Sequence, residues 1–559
     1  MSDLSNGRAG EPVRLHISGL ERRLEESEEI LRDRAAERLG VPGDALLEVE
    51  LLKRSLDARG EPSFIYSVEV ALEKSARFDA EKNPDLPREV KFAPPPGSLA
   101  PREFHPRRKP RVVIIGAGPS GLFCAHRLAK SGIHPILLDR GQPVEIRGKH
   151  VSRLMHHGEL REHSNICFGE GGAGTWSDGK LYTRVKDIRV RHILETIVAL
   201  GGPERILVDG KPHLGTDKLV ALCKAFRAEL VDLGCEVRFG AMVERLVITS
   251  TGGEDRVTGV VLSDGEKIDA DRVILAVGHS ARELYLQLAD SKVHMERKPF
   301  AVGFRVEHPQ QLINEIQYGK WATHEGLPTA DYRLTANFGS GENHRGVYSF
   351  CMCPGGQVVP SATRAGHVCV NGMSHASRKG HWANSALVVS LSPDEFESFG
   401  DHDGAGVPEV LAGMVFQEEA ERRAYELGGG GFIAPAQRLE DFRKGVASKD
   451  VRKTTYKPGI APGNLETVYP PFIIEALRAA LERFEKRMRG FLTNDALLIG
   501  VETRTSAPIR IVRDDTSLQS VTMPGLYPCG EGSGYGGGIV SAALDGLRIA
   551  ERILEEASA

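Results

Sequence analysis

The stretch from Arg111 to Arg140, RVVIIGAGPSGLFCAHRLAKSGIHPILLDR, constrains the chain more than any other. Val112 to Ile115 is an apolar β-branched run of the length of a buried parallel strand. Gly116, Gly118 and Gly121 follow in G-x-G-x-x-G spacing, and Leu122, Ala125, Leu128 and Ala129 recur at helical spacing until Gly132 stops the helix. A second apolar run, Ile136 to Leu138, ends in Asp139. Gly116 permits the tight turn, Gly118 lets backbone approach a pyrophosphate, and Gly121 lets helix pack on strand. The free N–H groups of the helix start would receive the pyrophosphate, and Asp139 an adenosine ribose. An acid there repels a 2′-phosphate, which favours NAD or FAD over NADP. The fingerprint does not separate NAD from FAD.

The 559 residues have room for about three domains. Net charge is −4, which speaks against nucleic acid or an acidic membrane as main partner. No apolar run reaches the roughly 18 residues of a membrane span, and MSDLSNGRAGEPV lacks the apolar core of a signal peptide. Eight scattered cysteines without a C-x-x-C pair fit free thiols in a reducing compartment, so a cytoplasmic location is expected.

Residues 1–83 read as a small α+β domain of ferredoxin-like type. Val13 to Ile17, Leu46 to Leu52 and Ser63 to Leu72 alternate as strands, and Leu24 to Leu39 is a charged helix. KRSLDAR (Lys53 to Arg59) is expected as a solvated hairpin tip, with a docking or anion-binding surface as the alternative. The eight prolines of residues 84–110 (84, 87, 94, 95, 96, 101, 106 and 110) predict a stiff, extended linker.

Further on, GEGGAGTWSDGKL (Gly169 to Leu181) is too glycine-rich for a regular helix and suits backbone lying against a flat ligand. Its own G-x-G-x-x-G spacing lacks a flanking strand and helix, so it is not counted as a second nucleotide site. Histidines 150, 156, 157 and 163 have no metal-ligand pattern around them, and no metal is expected. Gly215 to Leu233 reads as an amphipathic helix, and Asp264-Gly265 as a hairpin turn. Residues 293–490 carry short alternating strands and two helices, Pro408 to Leu427 and Pro471 to Gly490, and read as a mainly antiparallel domain. Cys351 and Cys353 sit two apart on one of those strands. They should share a face as buried packing thiols, too far apart for a mutual disulfide unless the strand kinks, with a redox pair as the alternative. At the C-terminus, CGEGSGYGGGIVSAALDG opens a helix whose glycine-paved start offers N–H groups and a positive dipole end to the charged edge of a reduced flavin.

GAGPSGL, then Asp139-Arg140-Gly141 and a C-terminal Gly530-Glu531 before a glycine-rich helix start resemble the glutathione-reductase-type flavoprotein superfamily, where a terminal Gly-Asp is commoner. More narrowly, KRSLDAR with FIYSVEV, FGEGGAGTWSDGKL, FCMCPGGQVV and VNGMS resemble a family of uncharacterised FAD-dependent dehydrogenases with a small N-terminal α+β domain. The resemblance implies an α/β, Rossmann-type FAD-binding domain that is discontinuous, 111–292 and 491–559, with an inserted substrate or cap domain at 293–490. It implies that Gly116, Gly118 and Gly121 hold the pyrophosphate, and Asp139, followed by Arg140, the adenosine ribose. Gly171, Gly172 and Thr175 would lie along the flavin and its phosphates. Val243 would meet adenine, and Gly278 would close the pyrophosphate side. Gly530 and Glu531 would take the ribityl chain, and Gly538 with Ile539 would face the pyrimidine edge.

The function expected is an FAD-dependent oxidoreductase acting on a small molecule by hydride transfer, with Lys180, Arg504 and Tyr535 as electrophilic or proton-transfer candidates. The electron donor is left open between NAD(P)H and a protein. Two alternatives stand beside it. One is an assembly or RNA-associated factor whose N-terminal domain docks a protein partner while FAD stabilises the fold. The other is a reductase of an apolar, isoprenoid-like substrate.

Overall fold

The computed structural model describes residues 12–72, 87–94, 102–339, 344–400 and 407–559. Pro84, Pro95, Pro96 and Pro101 of the expected linker lie outside these residues. The chain divides into two compact units. The first comprises Met1–Pro101, Pro203–Pro212 and Tyr318–Pro328. The second comprises Arg102–Gly202, His213–Gln317 and Thr329–Ala559.

In the first unit, four antiparallel strands form one sheet, in the order Leu46–Asp57, Ser63–Leu72, Val13–Arg23, Val90–Phe92. Leu15, Ile17, Tyr66, Val68 and Val70 form a core with Leu31 and Ala35 of the helix Ile30–Leu39. Three details differ from the sequence expectations. The first strand runs on to Arg23, so the helix starts at Ile30 rather than Leu24. Strand pairing carries Lys53 to Asp57 into the sheet, and the turn begins only after them; Arg54 there donates to Asp209 at 2.8 Å. Val90–Phe92 pairs with Leu15 to Ile17, so part of the expected linker is an edge strand.

The second unit is built on a five-stranded parallel sheet in the order Leu526–Pro528, Arg272–Leu275, Val112–Ile115, Ile136–Asp139, Glu236–Phe239. Val112–Ile115 is apolar throughout, and Ile136 to Leu138 and Val273 to Leu275 are apolar and buried on either side of it, because both faces are covered. Helices Pro119–Lys130 and Ile539–Ser558 pack together beside it, so close that a Cβ on Gly546 would stand 2.1 Å from Ser120 O. A meander of Val243–Thr251, Glu254–Leu262 and Lys267–Asp269 joins its core.

A seven-stranded sheet follows in the order Thr335–Phe338, Arg345–Cys353, Trp382–Leu391, Phe300–Pro309, Leu497–Glu502, Ala434–Arg438, Ile460–Pro462. Every pair is antiparallel except the last. Leu497–Glu502 is an interior strand here, so a domain boundary at 490 would cut through the sheet. Six successive residues of this strand are buried, which a seat between two partners requires.

Candidate functional site

Ile115, Leu275 and Pro528 end three adjacent parallel strands, so the loops after them leave one edge of the sheet. Ligands of open α/β sheets bind at such an edge. The glycines there divide by what surrounds them. Gly116 has φ +108°, and a Cβ on it would lie 2.2 Å from Ala276 O; one on Gly121 would lie 2.0 Å from Gly116 O. These two are required by packing alone. Gly118 has ordinary φ −79° and ψ −178°, and its Cβ would meet nothing nearer than Gly172 Cα at 3.9 Å. It caps the helix Pro119–Lys130, whose first turn no side chain caps. A Cβ on Gly278 or Gly537 would meet nothing within 4 Å.

The segment around 171 lies against this turn. Gly171 N donates to Ala117 O at 2.8 Å. A Cβ on Gly174 would stand 3.3 Å from the Ile539 side chain and 3.9 Å from the Pro119 ring. One on Gly532 would stand 2.3 Å from Gly278 O, and Tyr285 Oη lies 2.7 and 2.8 Å from the carbonyls of Gly278 and Gly532. The four loops near 118, 172, 278 and 532–539 therefore converge. An uncapped helix start, space over Gly118, Gly278 and Gly537, and exposed Gly538 fit the phosphates and flat ring of a dinucleotide.

Several expected cofactor residues are engaged with protein atoms. The Asp139 oxygens accept from Ala117 N and Gly141 N, each at 2.8 Å, and so hold the glycine turn itself. Arg140 bonds Glu283 and covers the Phe168 ring at 4.5 Å. Thr175 is buried and donates to Glu170 O at 3.1 Å, bracing the loop from behind. Val243 is buried and pairs with Leu262; Ala241 N, two residues earlier, donates to Asp139 O. Gly530 N donates to Asp545 at 2.8 Å.

The three proton-transfer candidates occupy different surroundings. Arg504 is buried and makes a two-pronged bond to Glu421 at 2.9 and 2.7 Å, with further bonds to Ser280 and Thr363. The Tyr535 hydroxyl donates to Ile511 O and accepts from Arg513 N. Lys180 donates to Asp178 at 2.7 Å and to Met352 O. Asp178 is fully buried. Burial opposes its charge, but Lys180 and Arg378 prevail and hold it at about 2. Burial pushes the Glu531 carboxyl up to about 8, with Lys298 opposing and Cys351 adding to the rise.

The strand Arg345–Cys353 is kinked, contrary to the regular pleat expected for its two thiols. Its pairing slips between Phe350 and Cys353, and Cys351 has φ +44°, a left-handed conformation rare outside glycine. Arg305 fixes the kink by donating to Cys351 O at 3.0 Å. Cys353 is buried and Cys351 partly exposed.

Beside Arg305, burial raises the Glu502 carboxyl to about 7, despite the Arg305 charge 3.2 Å away. A carboxyl whose folded pKa lies above its unfolded value stabilises the fold below about pH 4.5, and that contribution is lost as pH rises through 7. Glu502→Gln, neutral at every pH, removes this dependence. Urea unfolding from pH 4.5 to 8 should show wild type losing about 3 kcal/mol relative to E502Q. Parallel curves would mean an unperturbed carboxyl.

Sequence reasoning missed Arg147. It is fully buried on the helix Val144–His157 and donates to the carbonyls of Asn165, Ile166, Gly169, Glu170 and Gly172. Its guanidinium also lies 4.4 Å from the Trp176 ring centroid. A signal existed: Val144, Arg147, Val151 and Leu154 share one helical face, and the other three are core residues.

Three family models match the chain: an FAD-dependent protein, C-terminal domain-like model over residues 299–505, a domain of unknown function over 15–72, and an NAD(P)-binding Rossmann-like domain over 114–145. An uncharacterised protein of Clostridium beijerinckii is 38% identical over 97% of this chain and 99% of its own length. A thiamine thiazole synthase of Methanococcus vannielii is 29% identical over 30% of this chain and 56% of its own. Among solved structures, a variant of the halogenase PltM in complex with FAD is similar over 80% of this chain and 70% of that chain, at 13% identity and a TM-score of 0.36. FAD is the cofactor of this chain. The chain belongs to the family of its Clostridium beijerinckii relative, FAD-dependent proteins that join a Rossmann-like nucleotide-binding domain to an FAD-dependent C-terminal domain.

Proposed function

We propose that the chain is an FAD-dependent oxidoreductase of the glutathione-reductase-type superfamily, acting on a small molecule. The observation that carries this reading is the convergence of four glycine-bearing loops at the C-terminal edge of the parallel sheet. In this reading Gly118 and the first turn of the helix Pro119–Lys130 hold the pyrophosphate, with Gly278 opposite. Asp139 keeps the turn in shape while its remaining lone pairs face the ribose. Gly172 and Gly174 lie along the cofactor, and Gly538 with Ile539 meet the ring edge. Bound FAD supplies two-electron hydride exchange. Lys180 is the proton-transfer candidate best placed, because it reaches from the glycine-rich loop to Met352 of the seven-stranded sheet. Arg504 acts instead as a clamp on Glu421, tying the end of the strand Leu497–Glu502 to the helix Ala412–Leu427.

The purified protein is expected to be yellow and to release FAD on denaturation. Anaerobic titration with NADH, then NADPH, should bleach the flavin with one of them if the donor is a nicotinamide, and with neither if it is a protein. A colourless chain that takes up no added FAD overturns the reading.

A further inference from the structure

We propose that Cys351 and Cys353 form a thiol–disulfide exchange site, in which Cys351 attacks small organic disulfides and Cys353 resolves the mixed disulfide. This goes beyond the flavin reading and does not depend on it.

Four observations converge. First, an extended strand holds the side chains at i and i+2 too far apart for an S–S bond. The slipped pairing and left-handed Cys351 remove that obstacle. The Cys353 thiol donates to Cys351 O at 3.3 Å, so the kink folds Cys353 back onto its neighbour. Second, exposure divides the roles: Cys351 is partly exposed and Cys353 is buried behind it. A disulfide in solution can meet only the first, and the second is held for the resolving step.

Third, the surroundings are cationic. The Cys353 hydrogen bond, Lys180 and Arg305 favour the Cys351 thiolate and outweigh burial. Lys180 is anchored over Met352 O, the carbonyl between the two cysteines, and is held by Asp178, which Arg378 also bonds. Asp178 itself bears negatively on Cys351 and weakens the effect without reversing it. Fourth, Arg305 is fully buried and pairs with Glu502, yet among the described residues its Nη1 has no hydrogen-bond partner, although its other nitrogens bond Asn384 and Cys351 O. A buried donor without a partner, on the guanidinium that also holds Cys351 O, is available to a negative charge that forms at Cys351. Arg378, which bonds Asp178, is also left-handed, at φ +50°, so two strained non-glycine residues adjoin this one cluster.

The reaction balances without another reagent. The Cys351 thiolate attacks one sulfur of R–S–S–R, forming Cys351–S–S–R and expelling RS⁻. Cys353 gives its proton to the expelled RS⁻, which leaves as RSH, and attacks Cys351 Sγ. The Cys351–Cys353 bond forms, the Cys351–S–R bond breaks, and a second RS⁻ leaves. The small disulfide is reduced to two thiols and the protein pair is oxidised. Excess thiol reverses both steps.

The test uses the full-length, FAD-loaded protein, reduced, desalted and kept anaerobic. Iodoacetamide at pH 6, followed by peptide mass analysis, should label Cys351 about 10-fold faster than an ordinary exposed thiol. The gain in thiolate fraction is larger, and lower intrinsic nucleophilicity offsets part of it. Lys180→Met should move the alkylation profile to higher pH, and Lys180→Arg should restore it; a merely structural lysine would leave the profile in place. With hydroxyethyl disulfide, wild type should release two equivalents of mercaptoethanol and acquire a Cys351–Cys353 bond. Cys353→Ser should release one and stop at the mixed disulfide, and Cys351→Ser should release none. Flavin absorbance reports that each variant is folded. Failure of the wild-type protein to release thiol, or release of two equivalents by C353S, overturns the proposal. Wild type that retains FAD but ignores the disulfide sinks the thiol site alone, leaving the oxidoreductase reading intact.

Discussion

Replacing Gly118 with Val is expected to abolish FAD retention while leaving the fold intact. Other glycines of the fingerprint cannot make this distinction. Gly116 sits at φ +108° with Ala276 O where a Cβ would go, and a Cβ on Gly121 would overlap Gly116 O, so substituting either damages the protein before it damages the site. Gly118 has a backbone that valine adopts freely, and the nearest atom to its Cβ is 3.9 Å away. Among the described residues beyond its chain neighbours, none but Gly172 comes within 4 Å of the Cβ that a valine would add. The space there is the approach to the uncapped helix start, where pyrophosphate oxygens must come within hydrogen-bond distance of backbone N–H groups. FAD affinity should fall by about a hundredfold or more, a loss of about 3 kcal/mol of binding. The urea midpoint of the FAD-free protein should match that of FAD-free wild type. Flavin absorbance after desalting, with urea unfolding of both apoproteins, reads the two effects separately. Wild-type flavin content in G118V would place the dinucleotide elsewhere.

Arg147→Met should lose both the fold's stability and the cofactor. One guanidinium gathers five backbone carbonyls between Asn165 and Gly172 and so shapes the segment that leans on the glycine turn. Methionine matches the length of the side chain but donates no hydrogen bond, leaving those carbonyls in an interior that water enters poorly. A cost of about 4 kcal/mol is expected from unsatisfied buried acceptors, well above the roughly 1 kcal/mol of an ordinary core change. Lysine in its place keeps the charge but not the planar fork, and should recover only part of this. The measurements are the urea midpoint without FAD and the flavin content with it. R147M with wild-type values of both would show that the loop holds its own shape.

The two predictions weigh differently on the reading of the sequence. Gly118 was legible in it, because spacing, a preceding apolar run and a following helical period are all local properties. Arg147 was not legible in it, since a lone arginine on a helix gives no hint that five carbonyls 18 to 25 residues further along will fold around it; only its place on the apolar face marked it. The N-terminal strands were found in outline. Their ends were misplaced because pairing with neighbours, not propensity, decides where a strand stops, as Lys53 to Asp57 show. Leu497–Glu502 is a plain apolar run whose sheet partners no local signal names.

By itself, then, the sequence determined the glycine turn, the buried parallel strands beside it and the glycine-paved helix start near residue 538. Each depends on residues close along the chain. Tertiary structure alone decided that these segments meet, that Arg504 is spent on Glu421, and that the Cys351 strand kinks where Lys180 and Arg305 hold the carbonyls of Met352 and Cys351. Those outcomes depend on register and packing between segments far apart along the chain, and such contacts leave no periodic trace in either partner.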